Sequence, residues 1–273
     1  MHRATGLVLL LLAAGLPAAQ DPLRFAVLGD AGTGGRPQFE IAQQMAAARA
    51  AFPFEFVLLL GDNMYGRQDP ADFADKFERP YAPLLGAGVR FFATLGNHDK
   101  PDNRLYPGFN MKGERYYTFV RDEARFVVLD TNQLDPKQLA WADDALARAP
   151  ERWKVVYFHH PLYSNGGRHG SNVELRVVLE PLLVKHGVNV VFSGHEHIYE
   201  RLAPQKGITY FVAGSGGQLR KGDLRRSATT AAGFDEDQSF LLVEIAGDQM
   251  AFRAVSRTGR VVDAGVIGRR PST

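Results

Sequence analysis

Five short apolar segments of this chain each end in a residue that can bind a metal ion, and this repetition is the strongest constraint on the fold. Four of the segments place a glycine directly before that residue. The segments end at Gly29-Asp30, Gly61-Asp62, Gly96-Asn97, His159 and Gly194-His195. Ligands gather at the carboxyl ends of parallel strands that are joined by helices, and glycine lets the chain turn sharply beside a bound ion. The pattern therefore predicts an α/β fold whose strand ends form one site.

The rest of the chain supplies the strands and helices that such a sheet needs. Apolar runs alternate with helical spacing in the first part of the chain, and the last part has apolar runs without long helices. The predicted strands are 24–28, 54–60, 89–95, 153–158, 188–192, 208–213, 239–245, 250–255 and 261–267. The predicted helices are 37–50, 72–85, 136–149 and 173–186, and residues 115–130 are predicted to form a β-hairpin.

Three segments are predicted to be loops, one of which is the glycine-rich segment 164–170. Residues 101–112 are rich in proline, glycine and asparagine, which is typical of a surface loop, here expected to lie over the site. Residues 219–234 are polar, basic and rich in small side chains, and we expect a mobile loop there. The basic residues of that segment are interpreted as a solvated face, with attraction of an anionic substrate as the alternative. They are Arg220, Lys221, Arg225 and Arg226.

Composition and charge exclude several classes of function. The chain has 273 residues, of which 45% are hydrophobic, so it can bury a large core. Its basic residues exceed its acidic residues by 32 − 30 = 2, and this balance argues against a nucleic-acid coat or a membrane-surface binder. The chain has no cysteine. Disulfides, thiolate metal sites and a catalytic thiol are therefore excluded, and any metal must bind to oxygen and imidazole.

Residues 1–19 have the features of a secretory signal peptide. A positive end precedes an uncharged apolar stretch from Gly6 to Leu16, and small residues suited to cleavage follow. The apolar stretch is shorter than the ~20 residues that span a bilayer, although a retained signal anchor is an alternative. We therefore expect a secreted or periplasmic protein without a membrane anchor, in which residues 20–273 form a single domain.

The segment Gly61-Asp62-Asn63-Met64-Tyr65 is the centre of the predicted site. The two carboxylate oxygens of Asp62 can each bind a different hard cation, so Asp62 is the candidate bridge of a two-metal centre. Tyr65 lies three residues later and can bind one of these ions as a phenolate. Because a free phenol titrates near pH ~10, only a strongly acidic ion such as Fe(III) would keep it deprotonated at neutral or acid pH. Taken alone, the segment could also be an ordinary turn.

The motifs GDAG, GDNMY, GNHD, the strand-end His159 and GHEH occur here in the order in which they occur in the calcineurin-like metallophosphoesterases, which the chain resembles over residues 24–217. Tyr65 makes it similar to the purple acid phosphatase branch, the tartrate-resistant acid phosphatase type. The resemblance implies a four-layer αββα sandwich of two mixed β-sheets flanked by helices. It also implies a binuclear metal centre between the two sheets.

Carried over motif by motif, the resemblance implies a ligand set for each metal ion. The first ion, usually Fe(III), would be held by Asp30, Asp62, Tyr65 and His197. The second ion, Fe(II), Zn or Mn, would be held by Asp62, Asn97, His159 and His195. The first set is hard and anionic, as a trivalent ion requires, whereas amide and imidazole suit a divalent ion.

Two further histidines are the candidate catalytic residues. The expected reaction is in-line attack on phosphorus by a hydroxide that the two metals activate, and the departing alkoxide then needs a proton. His98, next to Asn97, is the first candidate for the acid or phosphate clamp. His169 is the second, because a similar histidine follows the strand-end His-x-Pro of the resembling phosphatases. The gap between that motif and His169 is slightly longer here.

The function predicted from the sequence is an exported acid phosphatase that hydrolyses small phosphate monoesters at acid to neutral pH. We expect a monomer that binds no nucleic acid. One rival is a phosphodiesterase for nucleotides or phospholipids with the same metals, and another is a non-enzymatic secreted protein that binds metal or phosphate. Asp99 is expected to orient His98, with an ordinary turn as the alternative. His160 is expected to pack near the site without binding metal, and Glu196 to line the pocket or support the structure.

Overall fold

A computed structural model describes residues 21–269, and in this range thirteen strands form two mixed β-sheets. The predicted signal peptide lies outside the described residues. The strands are β1 Leu23–Leu28, β2 Phe56–Leu59, β3 Arg90–Ala93, β4 Tyr117–Arg121, β5 Ala124–Val128, β6 Trp153–Tyr157, β7 Val190–Ser193, β8 Tyr199–Leu202, β9 Thr209–Ala213, β10 Thr230–Phe234, β11 Ser239–Ala246, β12 Gln249–Ser256 and β13 Val261–Gly268. No helix in the described part of the chain is both long enough and apolar enough to cross a membrane.

Parallel strands form the centre of each sheet, and antiparallel strands complete it. The first sheet has the order β13-β12-β11-β1-β2-β3, in which β1, β2 and β3 are parallel. The second has the order β10-β8-β9-β7-β6-β5-β4, in which β5, β6, β7 and β9 are parallel. The strand ends that carry the motifs therefore point to one end of each sheet.

Four of the five α-helices in the described residues have proline at their first or second position, where its backbone suits the first helical turn. The five helices are α1 Arg36–Arg49, α2 Pro70–Phe73, α3 Arg79–Gly86, α4 Pro136–Ala147 and α5 Val173–Lys185. A π-helical turn, Ala74–Glu78, joins α2 to α3, and Pro83 lies inside α3. The predicted helices are thus confirmed to within a few residues. The segment predicted as one helix over 72–85 consists of α2, the π-helical turn and α3.

Alternate residues of the central strands face different apolar layers. Phe25 and Phe56 lie between the sheets with ring centroids 5.2 Å apart, and Phe126 of the other sheet packs edge-on against both. On the outer face of the first sheet, α1 and α3 cover Val57 and the other side chains that point outward from this sheet. The helices α4 and α5 cover the outer face of the second sheet. Each fully buried side chain of this kind stabilises the fold by about 1.5–3 kcal/mol. The four predicted layers are confirmed.

Two loop predictions need correction. The C-terminal end of the predicted mobile loop 219–234 is strand β10, which pairs with β8 at the edge of the second sheet. Its small residues gave no apolar strand signal, and β8 was missed as well. Residues 101–112 contain two short 3₁₀ helices, Pro101–Leu105 and Pro107–Phe109, and the side chains of Phe109 and Met111 are buried. That segment is therefore packed onto the first sheet instead of lying open.

Candidate metal centre

Five strand ends converge where the carboxyl ends of the two sheets meet. Asp30, Asp62 and Asn97 follow β1, β2 and β3 of the first sheet. His159 and His195 follow β6 and β7 of the second sheet. The ends of both sheets therefore contribute, as the family resemblance implies.

Three of these residues have a positive φ angle, a left-handed backbone conformation that residues other than glycine usually avoid. The φ angles of Asp30, Asp62 and His195 are 54°, 51° and 70°. A non-glycine residue in such a region costs on the order of 1–3 kcal/mol, and strain of this kind concentrates at functional sites. The surrounding contacts must therefore stabilise a conformation that turns each side chain into the site.

The glycines of the motifs allow the strand ends to approach each other closely. A Cβ on Gly96 would lie 2.2 Å from both the backbone nitrogen and Oδ1 of Asp62. A Cβ on Gly194 would lie 2.4 Å from Oδ2 of Asp30. No side chain fits at these distances, so glycine is required at both positions for this arrangement.

The first group of converging side chains is acidic and phenolic. The Tyr65 hydroxyl lies 2.9 Å from Oδ2 of Asp62 and 3.3 Å from Oδ1 of Asp30. Nε2 of His197 lies 3.2 Å from the same hydroxyl and 3.4 Å from Oδ1 of Asp30. Burial and the two carboxylates raise the pKa of Tyr65. The protein alone therefore keeps Tyr65 a neutral phenol, and a phenolate would require a strong Lewis acid.

The second group consists of imidazoles and an amide. Nδ1 of His159 lies 2.9 Å from the carbonyl oxygen of Leu60. A carbonyl oxygen only accepts, so Nδ1 carries the proton and the Nε2 lone pair of neutral His159 faces inward. This Nε2 lies 3.0 Å from Oδ1 of Asn97, 3.2 Å from Nδ1 of His195 and 3.4 Å from Oδ1 of Asp62.

The donor atoms fit a pair of cations. His159 Nε2 and Asp62 Oδ1 are two acceptors that face each other without a proton between them. Burial and then the Asp62 carboxylate raise the pKa of Asp30 well above its usual range. The ligand atoms of Asp30, Asp62 and His197 lie within 4.8 Å of one another, as do those of His159, His160 and His195. A positive ion in each group would offset these unfavourable contacts.

The histidines of the site are held in the neutral form that binds metals. Burial and then neighbouring histidines lower the pKa of His195 to about 2. Burial and then Arg220 lower the pKa of His197 to about 4. The lone pairs of both imidazoles are therefore available at neutral and mildly acid pH.

The two candidate catalytic histidines lie at the rim, one beside each group. The side chain of His98 is half exposed, and its Nε2 lies 4.0 Å from Oδ2 of Asp62. Its backbone N–H donates to Oδ1 of Asp62 at 2.9 Å, and its ring lies 4.7 Å from that of Tyr65. His169 is exposed, and its ring lies 4.2 Å from the ring of His195. The structure thus brings both predicted residues to the site.

The structure assigns Asp99 a different contact from the predicted one. Its carboxylate accepts backbone N–H groups instead of orienting the His98 ring. The donors are Asn63 at 3.1 Å, Met64 at 3.0 Å and Gly96 at 2.8 Å. Burial raises the pKa of Asp99 to about 7, and these N–H groups favour its charged form. Asp99 therefore ties the loop of Asp62 to the loop of Asn97.

Two side chains, His160 and Glu196, contact the site more closely than the sequence indicated. His160 lies among the imidazoles, with its ring 4.5 Å from that of His195 and its Nδ1 2.9 Å from the hydroxyl of Thr131. Glu196 is fully buried, and its Oε1 accepts the backbone N–H groups of His169 and Gly170, both at 2.6 Å. A signal for this role was present in the sequence, since Glu196 stands between the two histidines of the GHEH motif.

Two mixed sheets with carboxylate, phenol and imidazole donors at their joined ends define an α/β sandwich with a candidate metal centre. The sequence profile of the calcineurin-like phosphoesterases matches residues 23–199, so the chain belongs to that family. It is 26% identical to rat (Rattus norvegicus) tartrate-resistant acid phosphatase type 5 over 97% of this chain and 96% of that protein. It is 30% identical to purple acid phosphatase 3 of Arabidopsis thaliana over 72% of this chain and 64% of that protein. The predicted resemblance is confirmed.

Solved structures show the same fold at low sequence identity. A purple acid phosphatase from yellow lupin (Lupinus luteus) seeds superposes with a TM-score of 0.77 at 19% identity, covering 93% of this chain and 55% of that chain. A dimetal phosphatase from Danio rerio superposes with a TM-score of 0.70 at 15% identity, covering 92% of this chain and all of that chain. The predicted sandwich of two mixed sheets is therefore confirmed independently of the motifs.

Proposed function

We propose that this protein is an exported, binuclear-metal acid phosphatase that hydrolyses small phosphate monoesters at acid to neutral pH. The observation that carries the proposal is the orientation of Asp62. Its Oδ2 faces the phenol of Tyr65 at 2.9 Å, and its Oδ1 faces Nε2 of His159 at 3.4 Å. A buried carboxylate with one oxygen toward each donor group is suited to bridge two ions.

The donor chemistry supports a different ion in each half. In the proposed arrangement the first ion is Fe(III) and the second is Fe(II), Zn or Mn, because carboxylate and phenolate suit a hard ion and imidazole a softer one. The ligands of the first would be Asp30, Asp62, Tyr65 and His197, and those of the second Asp62, Asn97, His159 and His195. When bound, two such ions lower the pKa of water and neutralise phosphate oxygens.

The proton for the leaving group would come from the rim of the site. His98 is held by its backbone bond to Asp62, and its half-exposed ring can reach a bound ester. As the bond from phosphorus to the leaving oxygen breaks, His98 would donate a proton to that oxygen. A positioned general acid contributes roughly 10²–10⁴-fold to the rate. His169 would act from the opposite side, as a second acid or as a clamp on the phosphoryl group.

The relatives support the choice of reaction. The curated relatives named above are acid phosphatases, and one is similar along nearly the whole chain. The signal-like residues 1–19 support export to the periplasm or the medium. We further propose that the mature protein is a monomer that acts on small phosphorylated molecules and binds no nucleic acid.

A comparison of two chromogenic esters tests the proposal. The purified protein, loaded with iron and zinc, is assayed with 4-nitrophenyl phosphate and with bis(4-nitrophenyl) phosphate. The proposal requires a higher kcat/KM for the monoester, and the metal-free protein serves as the control. A strong preference for the diester would instead support a phosphodiesterase. Metal binding without turnover of either ester would support the non-enzymatic alternative.

A further inference from the structure

A cationic side chain, Arg220, is fixed beside the candidate metal centre by the loop that follows β9. Alternate backbone N–H groups of this loop donate to carbonyl oxygens at the ends of β1 and β7. These bonds, each 3.0 Å long, run from Gly216 to Gly29, from Gln218 to Asp30 and from Arg220 to His197. Two of the three acceptors belong to proposed metal ligands. The backbone of Arg220 is therefore positioned by the same residues that would hold the first ion.

The glycines of the loop confirm that it lies directly against the site. A Cβ on Gly216 would lie 2.6 Å from the carbonyl oxygen of Gly29, and one on Gly217 would lie 2.4 Å from that of Ala31. Such contacts leave no space for a side chain, so the loop packs backbone to backbone on the end of β1. This close packing limits the positions that the Arg220 side chain can reach.

One edge of the Arg220 guanidinium faces Glu196. Nη1 of Arg220 lies 3.5 Å from Oε2 of Glu196, and neither of these two buried atoms has a hydrogen-bond partner among residues 21–269. The ion pair is therefore loose, because a close charge-assisted hydrogen bond is about 2.7–2.9 Å long. The side chain as a whole is 27% exposed, so a ligand can reach the part of Arg220 that is turned away from Glu196.

Glu196 places Arg220 and His169 on the same side of the site. Its Oε1 holds the backbone of His169 while its Oε2 faces Arg220. Arg220 and the candidate acid His169 are therefore linked through one buried carboxylate.

We propose that Arg220 binds a terminal oxygen of the substrate's phosphoryl group and thereby favours monoesters over diesters. The inference rests on the proposed phosphatase function. A monoester has three terminal oxygens, which match two cations and one guanidinium, whereas a diester has only two. Arginine suits this role because its planar fork donates to phosphate oxygens from two nitrogens. The competing possibility is that Arg220 only neutralises Glu196.

The test compares Arg220→Gln and Arg220→Lys with Lys221→Gln in the metal-loaded protein. Lys221 is the exposed neighbour on the same loop, so its substitution removes one positive charge without touching Glu196. We expect Arg220→Gln to weaken inhibition by inorganic phosphate by about 10-fold or more, as loss of a charge-assisted hydrogen bond implies. Its kcat/KM should fall more for 4-nitrophenyl phosphate than for the bis ester. Arg220→Lys should recover part of the loss, and Lys221→Gln should change each value less than about twofold.

Metal content and Tm separate substrate binding from structural support. The proposal requires both to stay at wild-type values in Arg220→Gln. Equal losses for the two esters, together with a lower Tm or metal content, would overturn it in favour of a simple partner for Glu196. Unchanged phosphate inhibition would overturn it as well. If the wild type hydrolyses neither ester, the proposed function fails, and calorimetric titration of Arg220→Gln with inorganic phosphate still decides the role of Arg220.

Discussion

One half of the candidate centre is built from two carboxylates, a phenol and one imidazole. The other half is built from an amide and two imidazoles, and it shares the carboxylate of Asp62 with the first half. In the acidic half, burial raises the pKa of Asp30 and of Tyr65, so their charged forms are disfavoured. In the imidazole half, burial lowers the pKa of His159 and of His195, so their neutral forms are favoured. The side chains of the acidic half therefore need a strongly charged ion before they ionise fully. The neutral imidazoles of the other half can bind a divalent ion without first losing a proton.

The largest effect is expected where the two halves meet. Asp62→Asn removes the negative charge that both proposed ions share, and we expect metal content to fall in both halves and turnover to drop by about 10³-fold, at the upper end of losses for one electrostatic group. Asp122→Asn is the matched control, because Asp122 also has a left-handed backbone, with φ 47° against 51° for Asp62. If Asp62→Asn lost only one of the two ions, the two halves would not share the carboxylate of Asp62.

The next largest effect separates the two rim histidines. His98 lies beside the acidic half and His169 beside the imidazole half. We expect His98→Ala to keep its metals and to lose about 100-fold in kcat, in line with removal of a general acid. His169→Ala should lose less. Equal turnover of His98→Ala and wild type would remove His98 from the mechanism.

A smaller effect on activity, with a clear effect on stability, is expected at Asp99. Asp99→Asn replaces one acceptor oxygen by an amide group that faces backbone N–H donors. Each unsatisfied group costs about 1–3 kcal/mol, so denaturant unfolding should show a lower free energy of unfolding by at least that amount. Asp102→Asn, on an exposed side chain of the neighbouring 3₁₀ helix, serves as the control. Equal unfolding free energies of Asp99→Asn and wild type would mean that Asp99 does not tie the loops together.

The smallest effect on turnover, but the most specific spectroscopic one, is expected at Tyr65. The iron-loaded protein should absorb visible light through a tyrosinate bound to Fe(III), and Tyr65→Phe should lose this absorption while keeping most of its activity. Tyr116→Phe, which alters a tyrosine packed on Trp141, should keep the colour. A colourless but fully active wild type would contradict iron in the acidic half.

Much of this site could be predicted from the sequence because its residues carry local signals. Asp30, Asp62, Asn97 and His195 each follow an apolar run and a glycine, so the strand and its turn can be read together. The fold class was accessible for the same reason. These local signals do not tell which strand end belongs to which sheet, since that depends on pairings between distant strands such as β1 with β11. Only the family resemblance implied a centre between two sheets.

The parts that escaped prediction depend on long-range hydrogen bonds. Asp99 stands next to His98 in the chain, yet its carboxylate bonds to the loop of Asp62. Arg220 lies in a segment whose composition favoured a solvated loop, with attraction of an anionic substrate as the alternative. Its place beside the site follows from backbone hydrogen bonds to the residues after β1 and to His197. Strand β10 was missed because its small residues lack an apolar pattern, and its pairing with β8 decides its structure.

Metal analysis combined with anomalous diffraction from crystals grown with iron and zinc tests the central claim most directly. The account predicts two ions per chain about 3.5–4 Å apart, as in other two-metal sites. One carboxylate oxygen of Asp62 should bind each ion, with iron on the side of Tyr65 and zinc on the side of His195. A single ion, or two ions that do not share Asp62, would contradict it.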